Sequence, residues 1–447
     1  MRINDLIGIG IGPFNLGLAS LTDPIEDLDA IFLEARDEFS WHPGMLLDEA
    51  TIQVPFLADL VTMADPTSPY SFLNYLKQTG RIYPFYIRES FYPLRREYDA
   101  YCRWVCDQLR TLRFGQRVTA VRYHPGHDAY QVIADHRGSE VQHWARRLAV
   151  GIGTEPWLPD AVGGLPGTVL HSSDYLHRKE ELQQRPAITI VGSGQSAAEI
   201  YLDLLADIEQ HDYRLDWFTR SPRFFPMEYT KLTLEMTSPE YTSYFHQLAA
   251  PLRAELLDQQ RGLYKGISSD LINAIYDTLY AKSVAGPPPT RLLTGVELVA
   301  ANGAEAADGH ESELTLELHQ IEQGRRFTAK TSAIVCATGY RPRRPDFLEP
   351  IVDQIAIGAD GRPDVARDYS VDGGRGRIFV QNGEEHTHGL SAPDLGLGAY
   401  RNSMIIAGIL GREVYPIERR IAFQDFGVPA MSGPEPERVP HREELSA

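Results

Sequence analysis

Two glycine runs carry the residue types that could hold a dinucleotide. In GIGIGPFNLG, Gly10, Gly12 and Asn15 take the three places of a G-x-G-x-x-G pattern, with Asn15 where a glycine is usual. Glycine at the first place allows a tight turn. Glycine at the second lets backbone N–H groups and a helix N-terminus approach a pyrophosphate, and Pro13 belongs to the same cradle. Glu34 ends the next strand about 20 residues on, where a carboxylate binds a ribose hydroxyl. The second run, VGSGQSAAE, puts Gly192 and Gly194 before a helix, with Ser196 in the cradle and Ala197 in the third place. Its following strand ends in Thr219, Arg220 and Ser221 instead of an acid. A cation and hydroxyls at that point suit a 2′-phosphate, hence NADPH over NADH. Two such units in one chain suggest a flavin fed by a nicotinamide, with FAD at the first unit and NADPH at the second.

Other chemistries lack their residues. Cys102, Cys106 and Cys336 are the only cysteines. The first two, four apart on a helical pattern, read as packed apolar side chains and not as a redox pair. No H-E-x-x-H, C-x-x-C or acidic metal cluster occurs, and His386 with His388 reads as a packing or hydrogen-bonding pair. There is no convincing Ser/His/Asp motif, so the chemistry should belong to the cofactors, with the protein supplying position, dryness and charge.

The elements that must position these residues follow from period and punctuation. A strand over 5–10, a helix through 16–21 and a strand AIFLEA over 30–35 form the first unit. EYDAYCRWVCDQLRTL has helical spacing, and RVTAVRYH with YQVIADH reads as an antiparallel hairpin. The second unit begins at AITIVGSGQSAAEIYLDLL and continues through RLDWFTRS; 223–287 is aromatic and helical. GIGTEPWLP and ATGYRPRRP are glycine turns after apolar strands at the two junctions of the second unit, with Thr338 in the latter. The expected fold is therefore α/β, with two Rossmann-like dinucleotide-binding domains. The FAD domain spans 1–160 and 337–431 and is interrupted by an NADPH domain over 161–336, whose segment 223–287 is a small helical substrate region. Residues 432–447 read as a frayed tail.

With 447 residues, 43% hydrophobic, the chain can bury large cores, and a net charge of -18 argues against nucleic acid or an anionic membrane surface as the main partner. No apolar run approaches the roughly 20 residues needed for a membrane span. A soluble, cytoplasmic protein is expected.

One stretch, IQVPFLADLVTMADPTSPYSFLNYL, follows neither helical nor strand period and carries prolines at 55, 66 and 69. It reads as a pocket wall. With WHPGM, REYDAYCRWV, GSGQSAAE, ATGY and THGL, it resembles the N-hydroxylating flavin monooxygenases of siderophore biosynthesis, which act on ornithine, lysine or diamines. The likeness runs from about residue 5 to 411 in the family's motif order. GIGTEP and ATGY also resemble the linker motifs of class B flavoprotein monooxygenases. LPGTVLHSSDY partly matches that class's fingerprint, with Leu165, Gly167, His171 and Tyr175. The resemblance implies FAD, NADPH and O2, a flavin C4a-hydroperoxide, oxygen transfer to a neutral primary amine, and a homo-oligomer, dimer or tetramer. It implies Gln53 beside the flavin and nicotinamide, Trp41 and His42 near the FAD, and His388, Gly389 and Leu390 near the ring.

The substrate reading rests on one departure. The family's amino-acid hydroxylases bind the substrate carboxylate with a lysine five residues after the glutamine, and here that place is Ala58. Their asparagine segment corresponds to Lys265, Gly266 and Ile267. A carboxylate left without partners would be costly to bury, so a diamine such as putrescine or cadaverine fits better. Its distal ammonium needs an acid, and Asp394 after THGL is the expected partner, with Asp59 and Glu228 as fallbacks. Tyr70, Phe72, Tyr83 and Phe85 are expected to wall the pocket. The alternatives are lysine or ornithine N-hydroxylation, with Lys265 or an arginine as carboxylate partner, and an uncoupled NADPH oxidase or flavin-bound sensor.

Overall fold

A computed structural model of the chain describes residues 1–165, 168–303, 313–343 and 345–428. The expected fingerprint glycine, Gly167, and the tail from 432 lie outside the described residues. The apolar run before the first glycines forms β1 (Asn4–Ile9), Pro13 starts α1 (Pro13–Thr22), and β2 (Ala30–Leu33) follows. The proline-rich stretch is irregular up to α2 (Phe72–Gln78), then come α3 (Ile82–Ile87) and α4 (Arg95–Cys106). On α4, Tyr98, Tyr101, Cys102 and Val105 fall on one buried face, the spacing of an amphipathic helix. Cys102 and Cys106 are free thiols within this packing.

β3 (Leu112–Arg113), β4 (Gln116–His124), β5 (Ala129–His136) and β6 (Ser139–Val150) complete most of a seven-stranded sheet of order β3-β2-β1-β6-β5-β4. β4 and β5 are the antiparallel hairpin. β6 is long enough to pair parallel with β1 through its last residues and antiparallel with β5 through its first.

The chain then leaves through β7 (Thr154–Pro156) to a parallel sheet. This contains β8 (Thr168–His171), β9 (Ala187–Val191), β10 (Arg214–Phe218), β11 (Thr290–Leu293) and β15 (Ala333–Cys336), in the order β11-β10-β9-β15-β8. β9 and β15 are almost wholly buried, as a parallel sheet covered on both faces requires. α5 (Tyr175–Gln183) and α6 (Gln195–His211) pack on it, and five helices follow β10: α7 (Lys231–Leu234), α8 (Pro239–Gln247), α9 (Ala250–Gln259), α10 (Arg261–Tyr264) and α11 (Ser269–Ser283). β12 (Val296–Gly303), β13 (Leu314–Gln320) and β14 (Arg325–Thr331) make a separate antiparallel sheet.

The return strand β16 (Tyr340–Pro342) pairs antiparallel with β7, and β17 (Ile378–Val380) rejoins the first sheet beside β6. α12 (Glu385–His388) and α13 (Gly398–Leu410) are the last α-helices among the described residues, with α13 packed on α1. No helix among the described residues is long and apolar enough to cross a membrane.

Candidate active site

The first glycine turn is built by close approach. Gly10 has φ +88°, and a Cβ there would stand 2.5 Å from the Gly151 carbonyl oxygen, so only glycine fits between the ends of β1 and β6. Gly12 has the opposite reason. A Cβ on it would meet nothing within 4 Å, and it is the N-cap of α1 with no side chain capping the helix's first N–H groups. An anion such as a pyrophosphate fits there.

Asn15 replaces the third glycine because its side chain is a buried staple. Its amide donates to Gly10 O at 2.8 Å and accepts from Gln381 at 2.7 Å. Glu34 follows β2, accepting from the Ile11 N–H at 2.8 Å and from Arg36 Nε at 3.1 Å, so it braces the turn from the other side. The Trp41 N–H donates to Asp99, and its ring packs on Tyr98. His42, in the left-handed region, stands between the rings of Trp41 and Tyr340. Surrounding protein, then Arg95 and Arg36, push its imidazole down to about 4. The residue is nevertheless exposed, so water moderates the size of that shift, and its direction gives a neutral ring at pH 7.

The second turn follows β9. A Cβ on Gly192 would lie 2.3 Å from Ala337 O, and Gly194 caps α6, with Ser196 half-buried in its first turn. Arg220 is exposed just past β10, and no hydrogen bond or ion pair holds its guanidinium among the described residues. The two crossings are tied together: Thr338 Oγ1 donates to Trp157 O, and Gly339 O receives the Trp157 N–H at 3.1 Å and His171 Nε2 at 2.9 Å. Thr338 thus commits its proton to the crossing. WHPGM meets the fingerprint segment here, since a Cβ on Gly44 would sit 1.8 Å from Ser173 O.

Sequence reasoning missed a buried ion pair between the two units. Arg95 at the start of α4 grips Glu199 of α6 with both arms at 2.9 Å. No local signal marks it.

Ala58 of the irregular stretch meets the Asp394 segment, and Gln53 is tied to this corner through Tyr229, whose phenol feels the Asp394 charge. Gln53 Oε1 accepts from the Tyr229 hydroxyl at 2.8 Å, and Nε2 reaches Thr51 O at 3.3 Å. Ala58 is buried, and the bare Cα of Gly396 adjoins it: a Cβ there would be 4.0 Å from Ala58 Cβ and 2.9 Å from Asp394 Oδ1. Asp394 Oδ1 accepts the Gly396 N–H at 2.6 Å, capping a short turn, and no cation pairs with the carboxylate among the described residues. Burial pushes its pKa up, while the Gly396 N–H and then Arg401 work against that. Arg401, also missed, is buried against Glu384 at 3.1 Å and donates to Ala392 O at 2.6 Å, which holds this corner.

Several expected residues do other work. His388 is 1% exposed, stacked on Tyr369 at 4.7 Å and edge-on to His246; Leu390 packs with Tyr241 and Phe245, against whose ring Gly389 also lies. The His388 and Leu390 side chains thus help to anchor this segment, and His388 Nε2 is buried without a hydrogen-bond partner among the described residues. Lys265 is exposed and its ammonium is taken by Glu385 at 3.0 Å, so it is no partner for a substrate carboxylate. Asp59 accepts from Val61 and Phe72 N–H and twice from Thr62, a turn clasp with no room for an ammonium. Glu228 is exposed and receives the Thr230 and Thr233 hydroxyls. Tyr70 and Phe72 are core residues with Phe85 packed against them, and Tyr83 is 73% exposed, so none of these forms a pocket wall by itself.

Comparison with known proteins agrees with this architecture. Residues 2–342 match the family of L-lysine 6-monooxygenase/L-ornithine 5-monooxygenase. The chain is 51% identical to a putrescine N-hydroxylase of Shewanella oneidensis, over 95% of this chain and 84% of that protein. It is 47% identical to an alcaligin biosynthesis enzyme of Bordetella pertussis, over 96% and 93%. The crystal structure of DfoA bound to FAD, a cadaverine monooxygenase of the desferrioxamine pathway in Erwinia amylovora, superposes with a TM-score of 0.93 at 50% identity, covering 96% of this chain and all of that one. With its two glycine turns and the motifs that surround them, the chain belongs to the lysine/ornithine N-monooxygenase family, whose members are flavin-dependent enzymes.

Proposed function

We propose that the protein N-hydroxylates one amine of a diamine, putrescine or cadaverine, in hydroxamate siderophore biosynthesis, using FAD at the first glycine turn, NADPH at the second, and O2. The reading is supported by relatives of about half identity named for diamine hydroxylation and by one local observation. Ala58 stands where a carboxylate-binding lysine would, and the carboxylate nearby, Asp394, has no cation paired with it among the described residues. When bound, the flavin activates O2 and delivers one oxygen atom, with NADPH supplying the two electrons and water as the other product.

The chain's own residues do the rest. Asp394 holds the distal ammonium, and Gln53 lies beside the flavin and nicotinamide. The reacting nitrogen must be neutral to use its lone pair, and partial burial of the corner disfavours its charged form. Fixing one ammonium of the symmetric diamine at Asp394 positions the other nitrogen to react. Arg220 favours the 2′-phosphate of NADPH.

The test is an assay of hydroxylamine formed and nicotinamide oxidised with putrescine, cadaverine, lysine and ornithine, each with NADPH and with NADH. Hydroxylated diamine with NADPH is expected. Hydroxylated lysine or ornithine with inert diamines would contradict the substrate reading, and equal rates with NADH would contradict the role of Arg220.

A further inference from the structure

We infer that Tyr229 is a positioning residue that fixes which end of the Gln53 amide faces the reacting partners. The inference rests on the reading of Gln53 as the residue beside the flavin. The Thr51 carbonyl can only accept, so the Gln53 end that meets it at 3.3 Å must be the NH2. The other end is then the carbonyl oxygen, and the Tyr229 hydroxyl, 2.8 Å away, must donate to it. The orientation is fixed from both sides, leaving one N–H of Gln53 to be offered outward.

Tyr229 is itself held. Met227 donates to Ile267 O at 2.7 Å and Ile267 to Phe225 O at 2.9 Å, a short ladder that places Tyr229 just beyond it. Gly266 makes this approach possible, since a Cβ there would be 2.7 Å from Met227. The bond therefore joins the helical region after β10 to the irregular stretch at Gln53, 176 residues apart. Burial, then Tyr92 and Asp394, hold the phenol above its ordinary pKa, so it keeps the proton it donates.

Tyr229→Phe removes the donor and little else. The variant should retain its FAD, show shifted flavin absorption bands, and lose hydroxylamine yield per NADPH oxidised by about fivefold, the worth of one neutral hydrogen bond. Adding Tyr229→Phe to Gln53→Ala should cost nothing further, because the tyrosine acts through the glutamine. Wild-type spectra and yield in Tyr229→Phe, losses that multiply in the double variant, or loss of FAD with a lower melting temperature would each overturn the inference. A wild-type enzyme that hydroxylates no amine would sink the functional reading instead, and the flavin spectra of the two single variants would still decide the role of Tyr229.

Discussion

The first glycine turn and the Ala58–Asp394 corner solve opposite problems. Around the turn, polar side chains spend their hydrogen bonds on the protein: Asn15 on Gly10 and Gln381, Glu34 on Ile11 and Arg36. At the corner, Asp394 uses one oxygen on Gly396 and is paired with no cation among the described residues, while Gln53 keeps an N–H. A closed network preorganises a cradle for a cofactor that stays. An open carboxylate is held ready for a substrate that comes and goes. Burial sets the cost of breaking the first, and charge sets the cost of breaking the second.

The largest effect is expected at the turn. Asn15→Leu leaves Gln381 and the Gly10 carbonyl without their partner inside the protein, which costs about 2–5 kcal/mol. A melting curve and flavin absorbance per protein should show a lower melting temperature and much less bound FAD; full flavin content would mean that the network is not what shapes the cradle.

At the corner, Ala58→Lys should leave FAD content alone. Its ammonium would grow toward Asp394 and occupy the site of the diamine's distal charge, lowering kcat/KM for putrescine by about 10-fold. Unchanged diamine kinetics would place position 58 outside the pocket.

The cradle was legible in the sequence and much of the corner was not, for a physical reason. Gly10 and Gly192 are forced by close backbone approach at the turn, and Gly12 and Gly194 cap the helices that follow, so their fixed spacing can be read along the chain. The hairpin of β4 and β5 and the helices after β10 were readable from period in the same way. Partners set by tertiary packing were not. Lys265 reads as a pocket cation until Glu385 is seen beside it, and Asp59 reads as a pocket acid until the Thr62 and Phe72 donors close around it. Tyr229 is one tyrosine among several aromatics, and nothing local points to Gln53. His388 sits in a motif suggestive of the ring, and the Tyr369 and His246 rings that pack on its imidazole come from distant parts of the chain that no local pattern announces.

The most direct test compares a diamine with the monoamine that lacks its second charge. In Asp394→Asn the amide oxygen can still cap Gly396, so the turn survives while the carboxylate is lost. Because burial raises the Asp394 pKa, the wild-type KM for a diamine should climb as pH falls through that raised value, and the variant should lack this climb. With cadaverine, kcat/KM should fall about 10- to 100-fold in the variant, the worth of a charged hydrogen bond, while pentylamine should be turned over as by wild type. An equal loss with both amines, or none with cadaverine, would contradict the assignment of Asp394 to the distal ammonium.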